Sequence, residues 1–273
     1  MADAEAPTPA EEPRRALVVM AHPDDIEFTC GGTVAQLSDD GWDVSFCLVT
    51  SGDKGTKDPM LGPADLGALR EAEQEAAATE LGIKRCIFLR VPDGHVEDGS
   101  EFRGQMVRVL REVRPELMIT WDGYRGFNHR DHRTVGIAAL DAAFPLSRNA
   151  NSYAEQVATG VEPVRVNTIL LAGSNEPNYF VDVSDQLERR IDALLRHASQ
   201  VQAANREEMV KRMRNRSEQA ARAGRVPWAE GFRRLTFGGA SPPRRRDALR
   251  AERQAKEKAA KTAEAEAAEA SDG

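Results

Sequence analysis

The chain has 273 residues, 41% of them hydrophobic, which is enough for one sizeable core, and a formal charge of −7 from 44 acidic and 37 basic side chains. That balance, with no long basic stripe, argues against a nucleic-acid partner. Three scattered cysteines, Cys30, Cys47 and Cys86, argue against a disulfide framework or a CxxC metal site. The first apolar segment is too short for a signal peptide or a membrane span, so the expected compartment is a reducing cytoplasm.

Residues 1–15 are acidic and rich in Ala and Pro, and a flexible segment is expected there. Residues 16–20 form an apolar run with the character of a buried parallel strand. It passes directly into Ala21-His22-Pro23-Asp24-Asp25-Ile26-Glu27. Gly31-Gly32 then permits close backbone approach at a helix start. A second strand is predicted over 44–49, a helix over 66–81, a third strand over 86–89, a helix over 102–113 and a fourth strand over 117–120. A short polar loop follows with Asn128-His129-Arg130-Asp131-His132, and a helix is predicted over 132–143. Strands at 167–171 and 179–183 precede a helix that Ser184 would cap, with Leu187, Ile191, Leu194 and Leu195 on one face. Residues 206–239 are charged, Gly-punctuated and partly helical, and could cover a site. From 240 to 273 an Ala, Glu and Lys mixture without an apolar face predicts a solvated tail, disordered or marginally helical. The alternation predicts an α/β fold, a Rossmann-like, mainly parallel sheet with helices on both faces, in one domain over 16–239.

In such sheets ligands bind beyond the carboxyl ends of the strands, at the switch point that the first and fourth strands flank. Both motifs sit at such ends, so their His and Asp side chains can converge. Imidazole nitrogens with carboxylate oxygens suit zinc or a similar divalent ion. Asp24 and Asp25 side by side would repel each other without a cation, whereas a capping turn is the plainer alternative. His129 and His132 are one helical turn apart, and a surface pair is their plainer alternative. Asp131 could orient an imidazole or pair with a neighbouring arginine. In the loop before His95, Asp93-Gly94 suits a turn or a substrate contact, and His197 reads as a structural residue within a helix.

Together the two motifs resemble those of the LmbE-like or PIG-L zinc-dependent N-acetylglucosaminyl deacetylases, over roughly residues 16–200. His22 to Asp25 followed by Gly31-Gly32 matches the family's opening segment, and His129, Asp131 and His132 match its His-x-Asp-His signature. Supporting similarities are the run from Val49 to Asp53, Arg70 with Glu73, Asp93-Gly94, and Val181 to Ser184 leading to His197-Ala198-Ser199-Gln200. The resemblance implies His22, Asp25 and His132 as ligands of zinc, with ferrous iron as the alternative. It implies Asp24 as general base, His129 as oxyanion stabiliser oriented by Asp131, and Arg70 and Asp93 as sugar contacts. The implied partner is a small amino-sugar substrate, and a homo-oligomer is compatible with it. Mycothiol-type relatives carry Tyr two residues before the first His of the signature; Phe127 stands there, and Tyr124 is close enough in sequence to replace it. An amidase of thiol-sugar conjugates is an alternative within the hydrolases. A phosphoacceptor receiver, using Asp24-Asp25, Asp93 and Thr120, leaves all three motif histidines unexplained. A nucleotide-dependent dehydrogenase lacks GxGxxG after the first strand.

Overall fold

The computed structural model describes residues 13–126, 129–201 and 206–237. The tail predicted over 240–273 and all but the end of the flexible segment lie outside them. Strand β1 (Arg15–Met20) begins one residue earlier than predicted, and Arg14 pairs with Glu116 at 3.0 Å. After β1 come α1 (Asp25–Thr29), α2 (Gly31–Asp39), β2 (Asp43–Leu48), α3 (Pro63–Glu80), β3 (Arg85–Phe88), α4 (Ser100–Val113) and β4 (Leu117–Trp121). Then follow α5 (Arg130–Ala143), α6 (Ala154–Ala158), β5 (Thr168–Ala172), β6 (Tyr179–Asp182), α7 (Leu187–Leu194), α8 (Arg206–Gly224) and β7 (Ala229–Thr236).

The seven strands form one sheet in the order β3-β2-β1-β4-β5-β7-β6. The first five are parallel, and β1 pairs with both β2 and β4, which makes the β1/β4 boundary the switch point. Alternation along β1 explains the two helical layers, since successive side chains point to opposite faces. Leu17 and Val19 pack with α4 and α5 through Val107, Leu110, Ala138 and Ala142. Ala16, Val18 and Met20 pack on the other face with Val34, Ala77, Ala78 and Ala193. Among the described residues, no helix is long and apolar enough to cross a membrane.

Besides the short helices α1 and α6, which were not predicted, β7 and α7 depart from the sequence expectation. Strand β7 was not predicted; it inserts antiparallel between β5 and β6. It also delivers Glu230 to the start of α2, where the carboxylate accepts from the Gly32 and Thr33 amides at 2.9 and 2.8 Å. Gly32 is required there, because a Cβ would lie 2.8 Å from the Val183 side chain. Ser184 does not cap α7: its hydroxyl donates to Asp182 Oδ1 at 2.6 Å, and a 3-10 turn over Ser184–Gln186 intervenes. His197 lies just beyond α7 rather than within it, fully buried, with Nε2 3.2 Å from Glu27.

Candidate metal centre

The register places the ends of β1 and β4 side by side, with Val19 opposite Thr120. Just beyond β1 the backbone turns sharply at Asp24, whose φ of 91° is a costly conformation for a residue with a side chain, about 1–3 kcal/mol. Helix α3 holds that turn in place. Gln74 accepts from the Asp24 amide at 3.1 Å, while Arg70 donates to the Pro23 and Gly52 carbonyls at 2.6 and 3.0 Å and to Asp24 Oδ2 at 3.2 Å.

Three donor atoms meet at the switch point. His22 Nδ1 lies 3.1 Å from His132 Nε2, His132 Nε2 lies 3.1 Å from Asp25 Oδ1, and His22 Nδ1 lies 3.6 Å from Asp25 Oδ2. A tetrahedral ion with bonds of about 2.0–2.1 Å has ligand separations of about 3.3–3.4 Å, so the two 3.1 Å edges that meet at His132 Nε2 are close to those of a zinc face, with the Asp25 carboxylate 3.6 Å from His22 Nδ1 through its other oxygen. Asp25 Oδ2 is occupied by the Ala21 and His22 amides, at 3.1 and 2.9 Å, which leaves Oδ1 to ligate. On the far side of the ring, His22 Nε2 faces Asp93 Oδ1 at 3.0 Å and Asp131 Oδ2 at 3.5 Å. Carboxylates there fix the proton on Nε2 and leave the Nδ1 lone pair for a cation, the usual support of a metal-bound histidine. One atom each from His22, His129 and His132 also lie within 4.8 Å of one another, as do those from His22, Asp93 and Asp131. The Nε2 proton makes the second of these groups an orienting set, and the side chains present fit a divalent ion on the Nδ1 side.

The carboxylates gathered here favour positive charge at this position. Burial alone would depress the His22 imidazole, but its contacts with Asp131, Asp25 and Asp93 outweigh burial and push it up to about 12. Burial likewise opposes ionisation of Asp25, yet the facing His132 and His22 hold it well below the usual carboxylate range. Burial and then the Asp25 charge push Asp24 up to about 7, against the pull of Arg70. A carboxyl in that range can both accept and return a proton near neutral pH.

The second motif opens α5. Exposed His129 is the N-cap, and its Nδ1 accepts from the Asp131 amide at 3.2 Å, which leaves the proton on Nε2. The backbone of Asp131 therefore orients His129, whereas its carboxylate, expected to do so, accepts from the Gly94 amide at 2.6 Å and faces His22. Arg70 and Asp93, expected as sugar contacts, are 4% and 9% exposed, and their observed partners are protein groups: they brace the Asp24 turn and orient His22. Tyr124 lies in the loop after β4, near His129 in sequence. It is 60% exposed and stands outside the cleft lining, and slight burial followed by the Asp141 and Asp98 charges raises its phenol. Phe127 lies outside the described residues. His95 is exposed beside a turn in which Gly94 has φ 77°, so the turn reading of that loop holds.

A cleft of about 640 Å³ opens beside His129 and His132. Its far walls come from Pro177 and Phe180 near β6, Gly231 of β7, and Arg216, Gln219 and Ala220 of α8, so α8 does flank the site. Sequence reasoning missed Trp121 at the end of β4. A large aromatic closing an apolar strand beside the second motif was the available signal.

Residues 17–143 match the family model described as PIG-L: GlcNAc-PI de-N-acetylase. A diacetylchitobiose deacetylase of Thermococcus kodakarensis is 31% identical over 195 residues, covering 70% of this chain and 72% of that protein. The chain belongs to the PIG-L family. A 1D-myo-inositol 2-acetamido-2-deoxy-alpha-D-glucopyranoside deacetylase of a Mycobacterium species (strain KMS) is 30% identical over 242 residues, covering 73% of this chain and 78% of that one. Among solved structures, the N,N'-diacetylchitobiose deacetylase of Pyrococcus horikoshii, complexed with an inhibitor, superposes with a TM-score of 0.79 at 29% identity, covering 82% of this chain and 84% of that one. Membership of PIG-L agrees with the position of both motifs at the switch point.

Proposed function

We propose that this PIG-L protein is a zinc-dependent N-deacetylase that hydrolyses the acetamide of an N-acetylglucosamine-type sugar or its conjugate, through a domain spanning residues 16–239. The observation that carries the reading is that His132 Nε2 lies 3.1 Å from both His22 Nδ1 and Asp25 Oδ1, with the Asp24 carboxyl held beside them by Arg70 at 3.2 Å. The named activities of the relatives supply the substrate class. When bound, the metal acts as a Lewis acid and lowers the pKa of a water to about 7.

Asp24 takes a proton from the attacking water as a C–O bond forms at the acetamide carbon. His129 presents Nε2–H to the oxygen that gains charge at that carbon, because its Nδ1 already accepts from the Asp131 amide. Asp24 then returns its proton to the leaving nitrogen as the C–N bond breaks, giving acetate and a free amine. Arg70 keeps the Asp24 carboxylate aimed throughout. The cleft has the size of an ordinary small-molecule site and leads away from the reacting centre along α8.

The test is metal analysis of chelator-free protein together with acetate release from a panel of N-acetylglucosamine derivatives, with Asp24→Asn in parallel. Metal in both proteins is expected, with acetate release lowered about 10²- to 10⁴-fold in the variant. Full activity in Asp24→Asn overturns the base assignment. Metal without acetate release from any sugar overturns the substrate class.

A further inference from the structure

We propose that Trp121 is a positioning residue of the metal centre, its indole N–H fixing Asp25 and its ring face fixing His132 in their ligating orientations. The inference rests on the metal reading above and concerns an aromatic residue outside both motifs.

The two histidines of the triangle are supported in different ways. His22 has Asp93 and Asp131 against its second nitrogen. The second nitrogen of His132, Nδ1, is buried and has no hydrogen-bond partner among the described residues. A ligating imidazole without such a partner is free to rotate about its side-chain bonds unless packing stops it. Here packing does: the Trp121 ring stacks on the His132 ring with centroids 4.0 Å apart and an interplanar angle of 8°.

The same indole also completes the cage of Asp25. Its Nε1 donates to Asp25 Oδ2 at 3.1 Å, a third donor beside the Ala21 and His22 amides. With Oδ2 saturated, Oδ1 is the atom that faces His132 Nε2 at 3.1 Å. One side chain therefore sets the plane of one ligand and the choice of oxygen in another. The indole is itself confined. It is 7% exposed at the last position of β4, and a Cβ at residue 173 would lie 2.6 and 2.8 Å from its Cζ3 and Cε3, so only glycine fits there, at φ 68°.

Trp121→Phe keeps a ring to stack and removes the N–H; Trp121→Leu removes both. The readouts are Zn²⁺ affinity by chelator competition, the visible bands of the Co²⁺-loaded protein, and the melting temperature of the metal-free protein. Zn²⁺ affinity is expected to fall about 10- to 100-fold in Trp121→Leu and by less in Trp121→Phe. Altered Co²⁺ bands are expected in both variants, with metal-free melting of Trp121→Phe close to wild type. The native protein is expected to change its tryptophan emission on Zn²⁺ addition, and Trp121→Phe to lose that response although Trp42 and Trp228 remain. Wild-type affinity and Co²⁺ bands in Trp121→Phe and Trp121→Leu would show that the indole only fills space, and would overturn the proposal while leaving the metal centre intact. Failure of the wild-type protein to bind Zn²⁺ would instead overturn the metal reading and the proposal with it.

Discussion

The loop after β1 and the loop after β4 supply the same residue types but are built to different standards. The first is buried and tied from several directions: Arg70 and Gln74 hold it from α3, and Asp25 ties its own carboxylate to the Ala21 and His22 amides. The second presents an exposed His129, held by one amide, and a half-buried His132, held by an aromatic stack. Multiple hydrogen bonds over-determine the strained turn at Asp24 and so keep its carboxylate fixed, while the His129 side has fewer such ties.

The largest effect that can break this contrast is His132→Ala. It is expected to abolish stoichiometric metal binding, and metal analysis of the purified variant checks it; a full complement of zinc would mean that the first loop suffices alone. Next comes His129→Ala, expected to keep its metal and to lose about 10²- to 10³-fold in kcat, as removal of one oxyanion donor does elsewhere. Loss of metal in that variant would move His129 into the ligand set. The smallest effect is expected from Arg70→Met, which deletes charged hydrogen bonds worth about 1.5–3 kcal/mol each and leaves the Pro23 carbonyl without its donor. A lowered urea midpoint with metal retained and kcat reduced about tenfold would confirm that rigidity of the first loop aids Asp24. An unchanged midpoint would show the brace to be redundant.

The ends of β1 and β4 were legible in the sequence because an apolar run abuts His and Asp at each, and because the switch-point rule makes those two strands neighbours. What stayed hidden depends on partners distant in the chain. Strand β7 carries Glu230, Arg233 and Arg234, which suggest solvent, yet Glu230 is buried against Arg190 Nη1 at 3.1 Å and Arg233 pairs with Asp122 at 2.8 Å. Ser184 has the residue type of a helix cap, but Asp182 captures its hydroxyl first. The protein partners of Arg70 and Asp93 were hidden because nothing local in sequence reveals that Pro23, Asp24 and His22 engage them. The left-handed turn at Asp24 has no sequence signal, since glycine is the residue usually found there.

Glu230 also sets an order of events during synthesis. Its carboxylate closes the start of α2, immediately after the first motif, from a position 197 residues later than Thr33. At ~5–20 residues per second a ribosome needs roughly 10–40 s to cover that interval. Until then the Gly32 and Thr33 amides lack this acceptor, so the start of α2 is closed only when nearly the whole domain has been made. A nascent chain stopped before β7 therefore contains every residue of both motifs but not the carboxylate that closes the start of α2.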